Sequence, residues 1–135
     1  MKISNHSYVL FAAILAASAT PAPAADCKHW QASSRTAMAI TGDITACRHS
    51  VAFANGTRLK LKPQGTRTGP WMTGRELSGA VYRVQPPSEP VLENGNTLCV
   101  GKVRYLVMST PPTGGMVMSV FTNDLQKFCG LYYYD

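Results

Sequence analysis

The stretch Ser50-Val51-Ala52-Phe53-Ala54-Asn55-Gly56-Thr57-Arg58-Leu59-Lys60-Leu61-Lys62-Pro63 decides how this chain folds. Val51 and Phe53 alternate with Ser50, Ala52 and Ala54 until Asn55-Gly56 interrupts them. Asn and Gly accept the positive φ that a two-residue hairpin turn requires. Alternation then resumes, with Leu59 and Leu61 on one face of a strand and Arg58, Lys60 and Lys62 on the other. Pro63 has no backbone N–H to offer a ladder and closes the strand. Two alternating runs around such a turn make an antiparallel hairpin with one dry face and one wet face.

The same period continues on both sides, broken by turn signals roughly every 8–12 residues. Ala37–Ile40 reads as a strand closed by Gly42-Asp43, and Ile44–Cys47 as its continuation. Leu77–Val84 puts Leu77, Gly79 and Val81 on one face and Ala80, Tyr82 and Val84 on the other, and Pro86-Pro87 and Pro90 break it. Val91-Leu92 and Thr97–Val100 flank the turn Glu93-Asn94-Gly95-Asn96. Val103–Met108 is nearly continuously apolar, as a central strand should be. Met116–Phe121 and Leu131–Tyr134 complete the set. Asp26–Thr36 reads as an extended arm, and Gln64–Gly74 and Pro111–Gly115 as loops. Asn123–Lys127 reads as one helical turn capped by Asn123. Met38, Met108, Met116 and Met118 are expected to fill gaps in the core. The expected fold is all-β: a small antiparallel barrel or sandwich of about seven or eight strands, stapled by disulfides.

The beginning of the chain supplies the context. Met1-Lys2, the apolar run Tyr8–Ala17 and the small-residue site Ala22-Pro23-Ala24 make residues 1–24 a secretory signal peptide. Residues 25–135 are then a single domain. The apolar run falls short of the roughly 20 residues that span a bilayer, and no later run reaches that length. The mature protein is therefore expected in the periplasm or outside the cell, where disulfides persist. Cys27, Cys47, Cys99 and Cys129 allow three connectivities. Cys27–Cys47 with Cys99–Cys129 is favoured, because it pins the loose arm to the first sheet region and the last strand to the middle of the domain. Cys27-Lys28-His29 and Cys47-Arg48-His49 repeat one spacing, yet the closely spaced cysteine pair of a zinc motif is missing. No metal and no cofactor are expected.

Charge points to the partner. The chain carries 13 Lys and Arg against 7 Asp and Glu, and loss of Lys2 leaves 12 against 7, or +5. That excess favours an anionic glycan, lipopolysaccharide or an acidic protein partner, while export makes nucleic acid a poor one. Arg58, Lys60 and Lys62, with Arg67 and Arg75 nearby, are the densest basic stretch. They read as an anion-binding face or as a sheet edge guarded by lysines. Lys28, His29, Arg48 and His49 form a second basic cluster if Cys27 and Cys47 are bonded. Trp71, with one of Tyr132-Tyr133-Tyr134, is a candidate contact surface, since these rings are enriched in binding hot spots. No G-x-S-x-G elbow is present. Asp43, Glu76, Glu89, Glu93 and Asp124 all fall in or beside turns, where carboxylates cap backbone groups. Binding is expected rather than catalysis, with a small secreted hydrolase as an alternative.

Ser78-Gly79-Ala80-Val81-Tyr82 resembles the S-G-x-x-Y segment of periplasmic inhibitors of c-type lysozyme, small exported β-barrels that insert this segment near the lysozyme cleft. The preceding Phe53–Leu61 hairpin is similar in style. The resemblance implies that Ser78 and Tyr82 contact the enzyme. The family's second segment, a Y-x-x-x-T-K-G-like run, is met here by Tyr105-Leu106-Val107-Met108-Ser109-Thr110, which lacks the lysine and the following glycine.

Overall fold

A computed structural model describes residues 26–135, so the signal peptide read over 1–24 lies outside the described residues. Eight strands run in chain order: β1 (Cys27–Trp30), β2 (Ile44–Cys47), β3 (Ser50–Ala52), β4 (Arg58–Met72), β5 (Arg75–Ser88), β6 (Val103–Ser109), β7 (Met116–Phe121) and β8 (Gly130–Tyr134). Each pairs antiparallel with the next, giving one sheet in the order β1-β2-β3-β4-β5-β6-β7-β8. This is the expected all-β class, and Cys27–Cys47 and Cys99–Cys129 are both formed. The barrel alternative is corrected to an open, sandwich-like sheet, because the ladder does not close. After Trp30 the chain leaves the sheet for a helix, and only Gln31–Ser34 brushes β8. Gln31 and Asp135 exchange backbone hydrogen bonds of 3.0 and 2.8 Å beside a single Ala32–Tyr134 bridge.

The sheet buries both faces. The first carries the larger core, including Ile44, Val51, Leu59, Val84, Leu106 and Met118. Two tyrosines enter it with their hydroxyls satisfied: Tyr132 donates to the Leu98 carbonyl (2.6 Å), and Tyr134 meets the Thr41 hydroxyl (2.7 Å). The second face carries Trp71, Leu77, Val81, Val107 and Phe121. As expected, Val81 and Val84 separate onto these two faces.

Trp71 reaches the second face because the β4–β5 hairpin folds back over the sheet. Its indole stands edge-on to Phe121, with centroids 5.9 Å apart, and its Nε1 donates to the Arg67 carbonyl (3.0 Å). The buried Ser119 hydroxyl on β7 donates to the Trp71 carbonyl. Gly79 makes this approach possible: a Cβ there would lie 2.5 Å from Val107 Cγ1 and 2.8 Å from Trp71 Cδ1.

Several expectations need correction. Ala37–Ile40 is not a strand but part of helix α1 (Arg35–Ile40), because Ser34 caps it by accepting from the Ala37 N–H (3.1 Å). Met38 on that helix is 56% exposed and fills no core gap, whereas Met116 and Met118 are buried. Gln64–Gly74 is not a loop. β4 continues through it to Met72, with register shifts between Pro63 and Thr66 and between Gly69 and Met72 absorbing its glycines and prolines. Pro86-Pro87 does not end β5, which runs on to Ser88 through a break in its pairing with β6. Val91-Leu92 and Thr97–Val100 form no strands. They flank a short 3-10 turn (Glu93–Gly95), and Leu92 and Leu98 are buried from irregular backbone. Asn123–Lys127 forms bends around a turn at Leu125-Gln126 instead of a helical turn, and the Asp124 carboxylate accepts from the Gln126 N–H (3.1 Å).

Gly79→Ala is expected to lower stability by about 1–3 kcal/mol through overpacking beneath Trp71. Urea denaturation checks this, and an unchanged midpoint would exclude the fold-back. Burial also pushes the Tyr132 phenol from 10.0 up to about 12 and raises Tyr134. Unfolded tyrosines release their protons first, so stability is full below pH 10.0 and falls as pH climbs toward about 12. Denaturant midpoints measured across that range should drop, and Tyr132→Phe should blunt the drop.

Candidate anion-binding face

The second face is covered only in part. Direct antiparallel partners share a face, so the pairs Lys62–Arg83, Arg83–Tyr105 and Tyr105–Phe121 form one row across β4, β5, β6 and β7. The row runs from exposed Lys62 and Arg83, through half-buried Tyr105, to Phe121 inside the core. Its wet end places two cations directly opposite each other, with backbones about 5 Å apart. Like charges in that position are destabilising.

Beside this pair a groove opens, lined by Arg83, Gln85, Pro86, Pro87, Arg104 and Tyr105. Its origin is the break in pairing. β5 and β6 are in register at Arg83–Tyr105 and again at Ser88–Val103, so Val84–Pro87 on one strand face Arg104 alone on the other. Prolines cannot donate to a ladder, so the chain bulges there. No carboxylate lines the groove. Asp43 accepts from the Ala32 N–H and Glu89 from the Gly101 N–H, while Asp124, which lines the adjoining groove with Arg67 and Tyr105, accepts from the Gln126 N–H.

The residues singled out from sequence spread over the molecule. Arg58, Lys60 and Lys62 alternate with buried Leu59 and Leu61 as expected, and all three are exposed. β4 pairs with β3 at Arg58 and Lys60 and with β5 at Lys62, so each of the three has a paired strand on one side. Trp71 is 4% exposed and belongs to the second core. Tyr132 and Tyr134 are buried in the first core, and Tyr133 is half-buried. Ser78 is exposed on the β4–β5 hairpin opposite Thr68. Tyr82 is half-buried between Pro63 and Leu106 and lines a small groove with Arg48 and Thr66. The two do not share that groove. Gly79 within this segment serves the packing of Trp71.

The second basic cluster divides. His29 lines a groove with Asp43 and Asp135, and its Nδ1 meets the Thr45 hydroxyl at 2.8 Å, whereas Arg48 turns toward Tyr82. Lys28 lies 4.0 Å from the ring centre of Trp30. Both disulfides are closed, and among the described residues no group of three His, Cys, Asp or Glu side chains is placed to hold a metal ion. No helix among the described residues is long and apolar enough to cross a membrane.

Sequence reasoning missed Arg83 and Arg104, and named Tyr105 only at the head of the incomplete second segment. The available signal was an arginine inside each of two otherwise apolar strands, Leu77–Val84 and Val103–Met108. No family model, curated protein or solved structure matches the chain.

Lys62→Glu is expected to raise stability by about 0.2–1 kcal/mol by replacing a repulsive cross-strand pair with an attractive one. Urea midpoints at low ionic strength check this, and the gain should shrink as salt is added.

Proposed function

We propose that this chain is an exported binding module for an anionic component of the cell envelope, acting in the periplasm or outside the cell. The like-charged Lys62–Arg83 pair supports this reading most strongly. A fold gains nothing from two opposed cations without an acid between them, whereas an anion laid across them turns repulsion into two favourable contacts. The uncompensated groove beside the pair extends the same field through Arg104. The two disulfides fit an oxidising compartment, in keeping with export. An acidic protein surface is the protein-partner form of the same reading.

The lysozyme-inhibitor resemblance draws less support. A chain with this positive excess would be repelled by a basic lysozyme on approach.

Titration of lipopolysaccharide and an anionic glycan into the protein across a salt series tests the proposal. Affinity should fall steadily with salt. Arg83→Glu should weaken binding by at least about tenfold, the loss typical of a charge-assisted hydrogen bond. Binding indifferent to both salt and Arg83 would overturn the reading.

A further inference from the structure

We infer that the groove at the β5–β6 break holds a phosphate monoester carried on a sugar ring, with Arg83 and Arg104 gripping the phosphate and Tyr105 supporting the ring. This deepens the anion-binding reading and rests on it.

The argument begins with donor count. Arg83 and Arg104 line one groove, and no carboxylate lines it with them. Each guanidinium is a planar fork of five N–H donors. One carboxylate fills one such fork and leaves the second without a partner. A phosphate monoester carries nearly two charges and three terminal oxygens, so it can answer both forks at once. Lys62, opposite Arg83 across the β4–β5 ladder, lies outside the groove and adds a third positive charge to the field around it.

The rest of the lining concerns what bears the phosphate. Tyr105 is half-buried, packs against the second core and lines the groove. Pro86 and Pro87 line the groove with it. These rigid rings offer flat apolar surface to the C–H face of a saturated sugar, at little cost in side-chain entropy. The groove's polar reach beyond the arginines comes from Gln85, whose amide can both donate and accept. That suits hydroxyls.

Nuclear magnetic resonance titration of the folded domain tests this with a hexosamine 1-phosphate, unphosphorylated hexosamine, glucuronate, inorganic phosphate and phosphotyrosine. The sugar phosphate should shift the amides of Arg83, Gln85, Arg104 and Tyr105. It should bind about tenfold more tightly than glucuronate, the margin of one charge-assisted hydrogen bond. Arg83→Gln and Arg104→Gln alter exposed side chains, so the fold survives, and each should cost about tenfold. Tyr105→Leu should reduce the sugar phosphate to the affinity of inorganic phosphate, and Tyr105→Phe should retain the difference.

Lipopolysaccharide vesicles and the soluble sugar phosphate separate a lipid-borne source from a free one, and binding of either through both arginines supports the site. Glucuronate binding as tightly as the sugar phosphate would overturn the phosphate assignment and leave anion binding standing. Preference for phosphotyrosine would overturn the sugar. Failure of every anion to perturb the groove would remove both this inference and the reading beneath it.

Discussion

Eight strands laid down in chain order make a single sheet, and a single sheet has two faces that about 110 residues must cover. The first face is covered by the sheet's own curl and by α1, with Tyr132 and Tyr134 filling the space at the last strand. Among the described residues no helix covers the second. Its cover is the far end of the β4–β5 hairpin, turned back so that Trp71 lies over Gly79 and against Phe121. Everything about that contact is close. Gly79 has no side chain, Gly69 passes beneath the indole, and Ser119 holds the Trp71 carbonyl from below. The disulfides work at the margins of this arrangement. Cys27–Cys47 ties the first strand pair, and Cys99–Cys129 ties an irregular crossing to the start of β8.

The hairpin, with Leu125 and Phe128 beside it, covers only part of the second face, and the candidate site lies at the uncovered end. The row Lys62–Arg83–Tyr105–Phe121 records the transition from water to core across four adjacent strands. At its wet end the β5–β6 ladder fails at Pro86-Pro87, and the failure opens a groove with an arginine on each strand. The same two prolines thus interrupt the fold and shape the surface. An uninterrupted ladder would have set Arg104 opposite one partner with no groove between.

Much of the fold was legible in the residues. Alternation around Asn55-Gly56 placed Leu59 and Leu61 inside and the three cations outside. Alternation also divided Val81 from Val84, and the cysteine placement favoured the pairing that forms. The misreadings share a cause. Gly, Pro and polar residues in Gln64–Gly74 read as loop because local propensity disfavours a strand, yet a full partner in β5 and two register shifts carried the pairing through. Ala37–Ile40 is too short for its period to separate helix from strand, and the Ser34 cap decided between them.

The site was less legible than the fold, because it is built from residues distant in sequence. By itself the sequence determined the β class, the place of the first hairpin, the four cysteines and the positive excess, since each follows from local alternation, turn chemistry or composition. The expected two-residue turn is instead the three-residue Ala54-Asn55-Gly56, which sets Val51 opposite Leu59. Only the tertiary structure decided which basic residues meet. Arg83 and Arg104 come together because β5 and β6 pair, and they share a groove because that pairing breaks at two prolines. Trp71 went the other way, from candidate surface contact to core. Its burial depends on Gly79 and Val107 across a fold-back that no local pattern announces.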